Sequence, residues 1–292
     1  MKWFYDSYPP FYGFRTGHKI QKLIYSKKTK YQMIKIFNTE TFGRVFALDQ
    51  ATQLTEKDEF IYHEMLIHPS MLAHPNPKKI LIIGGGDGGA LRECLKYNID
   101  KVYLVEIDKE VIIAARRFLK FVCQNSFNDS RTKIIIEDGY KFLINNGYKN
   151  FFDIVIVDCT DPDPENISLV LFNKKFYQAI FKSLKSDGIL IYQSGSLFFT
   201  PKGYLNIYKK IKEIFPLAGI YWTVIPSYPG AIWGYTYGSK KIDLKNIDLA
   251  QLEKKYKRLK LKTKFYNPKI HQNSFLLPNF TKMISQKLNN KK

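Results

Sequence analysis

The sequence KILIIGGGDGGAL, residues 79–91, joins a short apolar run to a glycine-rich turn and then to a helical pattern. A strand that runs through such a turn into a helix is typical of a βαβ unit. Gly84, Gly86 and Gly89 match the G-x-G-x-x-G pattern of dinucleotide-binding turns. Asp87 stands inside the same turn, where a pyrophosphate would lie. The motif alone therefore does not identify the ligand.

The chain beyond residue 79 repeats this alternation of strand and helix. The strand-like runs are KILIIG (79–84), KVYLVEID (101–108), KIIIED (133–138), FDIVIVD (152–158) and GILIYQ (188–193). The clearest helical patterns are KEVIIAARRFLKF (109–121) and NKKFYQAIFKSLK (173–185), and Ser186-Asp187-Gly188 ends the second. Strands that alternate with helices of this length predict an α/β fold with a doubly wound parallel sheet.

The first 65 residues follow a different pattern. YQMIKIFN (31–38) alternates between apolar and polar positions, and GRVFALDQATQLT (43–55) indicates a strand, a turn at Asp49-Gln50 and a second strand. AHPNPKKI (73–80) is a break rich in proline before the α/β pattern begins. We predict a small N-terminal β-strand domain over residues 1–65 and a catalytic domain over residues 66–292.

The charge balance allows two interpretations. The 292 residues include 46 Lys and Arg against 26 Asp and Glu, a formal net charge of +20. Such a balance is typical of nucleic-acid or membrane partners. The lysines are nevertheless spread along the whole chain, which is also rich in Asn, Ile, Tyr and Phe. Compositional drift is therefore the favoured interpretation, and we expect no nucleic-acid partner.

Other features of the composition predict a cytoplasmic protein without a membrane partner. No apolar run approaches the ~18 residues of a transmembrane helix, and the N-terminus lacks the pattern of a signal peptide. Cys94, Cys123 and Cys159 are few, odd in number and scattered. They predict reduced thiols rather than a disulfide framework.

Carboxylates follow the ends of four successive predicted strands. They are Asp87, Glu106, Glu137, Asp138, Asp158, Asp161 and Asp163. Ligands of doubly wound sheets bind at the carboxyl ends of the strands. A lone acid there is usually a helix cap or a turn former, but several together repel one another unless a cation lies among them. The set therefore predicts a positively charged ligand.

The position of Glu106 indicates a nucleoside. It lies 20 positions after Gly86, at the end of the second strand, where an acid accepts both hydrogen bonds of a ribose diol. NAD and S-adenosylmethionine both offer such a diol. Asp87 would repel the pyrophosphate of NAD and oppose the positive end of the helix that attracts it. A sulfonium nucleoside is therefore favoured over NAD.

Six stretches together resemble the polyamine aminopropyltransferases, the spermidine synthases. They are LDQATQLTEKDEFIYHEMLIHPSMLAHPNPKKILIIGGGDGGALRE (48–93), VEID (105–108), EDG (137–139), DCTDP (158–162), SYPGAIWGYTYGSK (227–240) and YNPKIHQNSFLLPNF (266–280). The resemblance implies a small β domain before a Rossmann-like, methyltransferase-type domain, in a homodimer or homotetramer. It implies transfer of an aminopropyl group from decarboxylated S-adenosylmethionine to putrescine or a related amine. The products would be spermidine and 5′-methylthioadenosine, with no metal or bound cofactor.

The resemblance also assigns roles on the amine side. Asp158 would be the general base and Asp161 would bind the attacking end of the amine. Tyr62 and Tyr228 would orient the nitrogen, and His63 would contact the polyamine. Gln193 ends the fifth strand and is either a polar residue of the pocket or a capping residue. His63 and His68 are five residues apart, so HEMLIH is not the H-E-x-x-H zinc motif.

On the donor side, the resemblance gives Glu106 the ribose hydroxyls and Asp138 the adenine amino group. Gly139 would lie beside Asp138, and Gln32 and Pro164 would complete the nucleoside pocket.

Asp87 would bind the aminopropyl ammonium. S-Adenosylmethionine itself carries a carboxylate on that arm, and Asp87 would repel it.

Two departures from the family pattern accompany the match. Gln50 stands where the family commonly has glycine, so the turn is expected to differ if that position needs a positive φ. DPENISLVLF (163–172) is one residue shorter before Pro164 than the usual gate segment and adds Asp163.

Three alternatives stay open from the sequence. They are an amine N-methyltransferase, an NAD oxidoreductase and a basic nucleic-acid-binding protein. The acceptor also stays open among putrescine, cadaverine, agmatine and spermidine.

Overall fold

The computed structural model of the chain describes residues 2–6, 14–160 and 171–281. The strands in these ranges are β1 (Lys2–Asp6), β2 (Thr16–Ile20), β3 (Lys22–Lys28), β4 (Met33–Thr39), β5 (Gly43–Leu48), β6 (Ala51–Thr55), β7 (Lys79–Gly84), β8 (Lys101–Glu106), β9 (Thr132–Ile136), β10 (Phe152–Asp158), β11 (Leu184–Ser196), β12 (Leu217–Val224) and β13 (Ile232–Ser239). The helices are α1 (Glu59–Ala73), α2 (Gly89–Cys94), α3 (Lys109–Phe118), α4 (Lys120–Cys123), α5 (Gly139–Asn145), α6 (Lys174–Ser183), α7 (Pro201–Lys212), α8 (Leu249–Arg258) and α9 (Pro268–Ser274), with a 3-10 turn at Ser126–Asn128. Asp161, Asp163 and Pro164 lie outside the described residues.

The N-terminal strands form two antiparallel sheets. β1 pairs with β2, and β3 to β6 form a four-stranded meander in chain order. Alternation along β4 buries Ile34 and Ile36 on one face, as expected for a sheet with one side in the core. The predicted turn between β5 and β6 is confirmed. Asp49 rather than Gln50 takes the left-handed conformation there, with φ of 52°, so position 50 does not require glycine.

The second part of the chain forms a seven-stranded sheet in the order β12-β13-β11-β10-β7-β8-β9. The five strands predicted from sequence are mutually parallel, which confirms the α/β architecture. β12 and β13 add two antiparallel strands at the β11 edge, which the sequence patterns did not indicate.

The central strand β10 is covered on both faces. Ile154 and Ile156 belong to one apolar cluster, and Val155 and Val157 belong to the other. Because both faces are covered, FDIVIVD reads as a continuous apolar run rather than an alternating one. The strand therefore holds Asp158 at its carboxyl end on a rigid support.

Two predicted helix ends are corrected by the structure. α6 ends at Ser183 instead of continuing to Lys185, because Leu184 already pairs with Phe152 of β10 and is fully buried. The Ser186-Asp187-Gly188 stretch therefore lies inside β11 and does not end a helix. The pattern over 109–121 is likewise two helices, because the backbone of Leu119, with φ of −116° and ψ of 40°, leaves the helical conformation between α3 and α4.

Helix α1 follows β6 after three residues and packs among the other elements almost along its whole length. It contacts α2, α8 and strands β10 to β12. The predicted division of the chain after residue 65 stays a prediction; α1 runs through that position. Within the described ranges, no helix is long and apolar enough to cross a bilayer.

Truncation of the fully buried Ile156 tests how much this core stabilises the sheet. We expect Ile156→Ala to lower the free energy of unfolding by about 2–5 kcal/mol, because the cavity cannot collapse in a close-packed strand. Ile113→Ala, at a side chain that is 40% exposed, is the matched control and should change it by about 0.5 kcal/mol or less. Urea titration measures both as a shift in midpoint. A loss below about 1 kcal/mol at Ile156 would contradict the packing described.

Candidate active site

The glycine-rich turn between β7 and α2 makes two close approaches. A Cβ atom at Gly86 would lie 2.9 Å from Glu106 Oε2, and one at Gly89 would lie 2.3 Å from the His63 ring. Real Cβ atoms do not come this close to their neighbours, so only glycine fits at either place. Gly86 and Gly89 thus allow the turn to lie directly against Glu106 on one side and His63 on the other.

Asp158 and Tyr62 form the centre of the site. The Tyr62 hydroxyl donates a hydrogen bond of 2.5 Å to Asp158 Oδ1. Asp158 Oδ2 is buried and has no hydrogen-bond partner among the residues that the structure describes. Burial, followed by the charge of Asp87, raises the pKa of Asp158 to about 6, against the opposing effects of His63 and Tyr62. A carboxylate with an uncommitted buried oxygen and a pKa near neutrality is suited to accept a proton.

His63 links this centre to the glycine-rich turn. Its Nε2 lies 3.2 Å from Asp87 Oδ1, and its Nδ1 lies 2.6 Å from Glu59 Oε2. Burial opposes the charged imidazole, but Asp87 and Glu59 outweigh it and raise the pKa of His63 to about 10. One polar atom from each of His63, Asp87 and Asp158 lies within 4.8 Å of the other two. Two acids from separate strand ends therefore meet around one cationic ring.

Asp87 is held in place from two directions. Besides facing His63, its Oδ1 accepts a hydrogen bond of 2.7 Å from the backbone N–H of Gly89. Burial would raise the pKa of Asp87, but His63, this N–H and Arg92 lower it below its usual value. Asp87 is thus a fixed negative charge at the site.

Glu106 lies at the other end of the turn and is buried. Its Oε1 accepts a hydrogen bond of 2.8 Å from the N–H of Asp108. Burial raises the pKa of Glu106 to about 7, although that N–H acts in the opposite direction. Gln32 reaches the same region from the N-terminal sheet, and its Nε2 donates to Asp108 Oδ2 at 3.1 Å. The structure therefore brings Gln32 and Glu106 to the same side of the turn, and their role in binding a nucleoside stays a prediction.

Asp108 and Asp138 are both helix caps. Asp108 accepts from the N–H of Glu110 at the start of α3, and Asp138 accepts from the N–H of Lys141 at the start of α5. Gly139 follows directly, and a Cβ there would lie 2.3 Å from Ile83 Cγ2. Asp138 and Gly139 are therefore at the carboxyl end of β9, with β7 and β8 lying between this strand and β10, which carries Asp158.

Tyr228 and Gln193 lie beside the centre. The Tyr228 ring is 5.9 Å from the Tyr62 ring, and its hydroxyl donates a 2.5 Å hydrogen bond to the carbonyl of Gln53. The Gln193 amide donates a 2.6 Å hydrogen bond to the carbonyl of Cys159, the residue after Asp158. These bonds connect both side chains to backbone next to the site.

Glu59 and Arg92 also lie at the site, and neither is among the residues predicted from the sequence. Arg92 forms a bidentate pair with Glu59, with both N–O distances 3.0 Å, and both residues are buried. Glu59 precedes His63 by four residues in α1. Residues four apart lie on the same face of a helix, so the E-x-x-x-H spacing was a usable signal.

Two known protein families together match most of the chain. The spermine/spermidine synthase domain family matches residues 59–249, and the spermidine synthase tetramerisation domain family matches residues 2–56. The chain is 43% identical to the polyamine aminopropyltransferase of Caldicellulosiruptor saccharolyticus over 283 residues, 97% of each chain. It is also 43% identical to the polyamine aminopropyltransferase of Thermotoga neapolitana over 286 residues, 96% of this chain and 92% of that one.

Solved structures give the same result. A spermidine synthase crystallised with the transition-state analogue AdoDATO superposes with a TM-score of 0.91 at 40% identity, over 97% of this chain and 94% of that chain. The spermidine synthase of Thermotoga maritima superposes with a TM-score of 0.90 at the same identity and the same coverage.

Proposed function

The chain belongs to the spermine/spermidine synthase family of polyamine aminopropyltransferases and is a transferase, and from that premise we propose its substrates and its catalytic base. The donor is decarboxylated S-adenosylmethionine, the acceptor is putrescine, and Asp158 is the general base. The products are spermidine and 5′-methylthioadenosine. The observation that carries the proposal is that Asp87, Asp158 and His63 lie close together, and that Asp158 Oδ2 has no hydrogen-bond partner among the described residues.

The proposed aminopropyl transfer requires a base that removes a proton from the amine. An alkylamine has a pKa near that of lysine, about 10.4, so it reaches the enzyme as an ammonium and must lose a proton before it attacks. Asp158 accepts that proton through Oδ2 while Tyr62 holds Oδ1. The neutral nitrogen then attacks the methylene carbon next to sulfur, the carbon–sulfur bond breaks, and its electron pair stays on sulfur. Holding the two reactants in line supplies much of the rate enhancement.

Asp87 provides a reason for donor choice. A fixed carboxylate attracts the ammonium of the aminopropyl arm and repels the carboxylate that S-adenosylmethionine carries at the same place. At the opposite side of the turn, Glu106 accepts the ribose hydroxyls, and Gln32 and Asp138 border the nucleoside. The bond of Gln32 to Asp108 and the position of Asp138 at the start of α5 support these roles. Tyr228, His63 and Gln193 complete the amine side. Asp161 and Pro164 keep their predicted roles, although they lie outside the described residues.

We also propose the cofactor requirement, the oligomeric state and the cellular compartment of the enzyme. The enzyme needs no metal or bound cofactor, because the sulfonium is already an activated leaving group. We expect a homodimer or homotetramer, which the match to a tetramerisation domain supports. Three free cysteines support the reducing cytoplasm as its compartment.

A product assay tests the proposal. Incubation of the protein with decarboxylated S-adenosylmethionine and putrescine should yield spermidine and methylthioadenosine in equal amounts. A panel of putrescine, cadaverine, agmatine and spermidine, compared by kcat/KM, identifies the preferred acceptor. Absence of product with every amine would refute the aminopropyl transfer. A methylated amine formed from S-adenosylmethionine would instead support an N-methyltransferase.

A further inference from the structure

Asp58 is a buried aspartate that joins two parts of the chain far apart in sequence. It directly precedes α1 and is 4% exposed. Its Oδ2 accepts a 2.8 Å hydrogen bond from the backbone N–H of Ser227. Its Oδ1 accepts hydrogen bonds from two hydroxyls, Ser227 Oγ at 3.0 Å and Thr55 Oγ1 at 2.6 Å. Three donors therefore stabilise the buried carboxylate, and two of them belong to Ser227.

The place of Asp58 on its helix makes this arrangement informative. Asp58 is the N-cap residue of α1, where an aspartate side chain usually accepts a hydrogen bond from an N–H of the first turn. Within the described ranges, the Asp58 side chain makes no such bond. Its carboxylate is used for Ser227 and Thr55 instead. Capping of α1 therefore does not explain the residue, and the connection to Ser227 is the contact to account for.

Ser227 directly precedes Tyr228 in the loop between β12 and β13. The Tyr228 ring is buried and packs edge-on against Trp233, with ring centroids 4.6 Å apart. The single hydroxyl proton of Tyr228 is donated to the carbonyl of Gln53. Towards any further partner the hydroxyl oxygen is therefore an acceptor, and an ammonium or amine N–H is the matching donor.

We propose that Asp58 is a positioning residue, which holds the loop carrying Tyr228 and thereby sets the affinity of the enzyme for the diamine. This inference rests on the proposed function. Asp58 acts through Ser227 and does not touch the substrate itself. Gln53 lies in β6 and Asp58 follows that strand, so the last strand of the N-terminal sheet and the residues after it hold the loop at two points.

The backbone of the loop shows why it needs this support. Ala231 has a φ of 55°, which is the left-handed region, and alanine rarely adopts it. Such conformations persist only where the surrounding structure holds them in place. Inside the loop, the N–H of Ile225 donates to the carbonyl of Ala231 and the N–H of Tyr228 donates to the carbonyl of Ile225. The two bonds from Ser227 to Asp58 add an attachment outside the loop.

A double-mutant cycle tests whether Asp58 acts through Tyr228. We expect Asp58→Ala to raise KM for putrescine about 10-fold or more, and Tyr228→Phe to raise it about 10- to 100-fold, the contribution of a hydrogen bond to a charged group. The dissociation constant of 5′-methylthioadenosine, measured by calorimetry, should change less than about twofold in either variant. In the Tyr228→Phe background, Asp58→Ala should add no further rise in KM for putrescine, because the hydroxyl that it positions is absent. A full additional rise in that background would overturn the inference.

Asp58→Asn is the conservative variant. The asparagine oxygen can accept from the N–H of Ser227, while its NH2 group donates to the two hydroxyl oxygens. This variant should therefore keep KM for putrescine within about threefold of the unmodified enzyme, well below the rise in Asp58→Ala. A rise as large as that in Asp58→Ala would refute positioning by these hydrogen bonds.

Thr55→Val is the matched control at the same carboxylate. It removes one hydrogen bond to Asp58 and leaves both bonds to Ser227. We expect a lower midpoint in urea and an unchanged KM for putrescine. A rise in KM equal to that in Asp58→Ala would show that general loosening, and not the bond to Ser227, weakens diamine binding.

The outcomes separate this inference from the proposed function. If Asp58→Ala does not fold, Ser227→Ala enters the same cycle with Tyr228→Phe, because it removes one of the two bonds at the other end. An unmodified protein that forms no spermidine with any amine would refute the proposed function. An active enzyme in which the two substitutions are additive would refute only the role of Asp58.

Discussion

Replacement of Asp158 by asparagine is expected to lower kcat by on the order of 10²- to 10⁴-fold, with little change in KM for the donor. Asparagine keeps the shape of the side chain and can still receive the Tyr62 hydroxyl at Oδ1. It cannot accept the ammonium proton at the position of Oδ2. The decrease in kcat therefore reports the loss of proton removal separately from the binding of the nucleoside. Steady-state kinetics at saturating donor measure this decrease.

The pH dependence belongs to the same prediction. Because the pKa of Asp158 is raised to about 6, the base is protonated below that pH and ionised above it. For the unmodified enzyme, kcat at saturating donor should fall as the pH decreases through about 6, and this acidic limb should be absent from Asp158→Asn.

Asp153→Asn is the matched control for this substitution. Asp153 is buried in the same strand at its opposite end, where it accepts from the N–H groups of Lys78 and Lys79. That variant should lose stability but keep the kcat of its folded fraction. Near-normal turnover in Asp158→Asn would exclude Asp158 as the base.

Replacement of Asp87 by asparagine is expected to lower kcat/KM for decarboxylated S-adenosylmethionine by on the order of 10²-fold or more. Loss of one partner from a buried, hydrogen-bonded charge pair costs about 2–5 kcal/mol, and Asp87 would lose both the donor ammonium and His63. The discrimination against S-adenosylmethionine should shrink as well, because the repulsion of its carboxylate disappears. Calorimetry with decarboxylated S-adenosylmethionine and with S-adenosylmethionine gives the ratio of the two affinities directly.

Asp100→Asn provides the comparison for Asp87→Asn. The Asp100 side chain is 63% exposed and forms only a surface ion pair of 3.8 Å with Lys78. It should change neither nucleoside's affinity measurably. An unaltered affinity ratio in Asp87→Asn would show that donor choice depends on other residues.

The parts of the site that the sequence could predict are those fixed by the ends of strands. Parallel strands bring their carboxyl ends to one edge of the sheet, so the sequence alone predicts that Glu106 and Asp158 lie at that edge. The glycine-rich turn was equally predictable, because Gly86 and Gly89 mark backbone that another group approaches closely. Local spacing sufficed for each of these inferences.

Partners that come from distant parts of the chain could not be predicted in this way. The bond from Gln193 to the Cys159 carbonyl and that from Tyr228 to the Gln53 carbonyl depend on tertiary packing. The end of α6 was misplaced for the same reason, since the pairing of Leu184 with Phe152 overrides a local helical pattern. Arg92 is a similar case: an arginine in the last turn of a helix is ordinarily exposed, and its bonds to Glu59, Glu93 and the Val122 carbonyl explain its burial.

Helix α1 has a consequence for the modularity of this enzyme. It carries Tyr62 and His63, yet it begins immediately after the N-terminal sheet, and Asp58 before it accepts a 2.8 Å hydrogen bond from the N–H of Ser227. A chimaera joined at residue 65 would take Tyr62 from one parent and its hydrogen-bond partner Asp158 from the other. Recombination between relatives can preserve that pair only with a crossover upstream of α1. The N-terminal sheet can then be exchanged, whereas the helix must be inherited with the catalytic sheet.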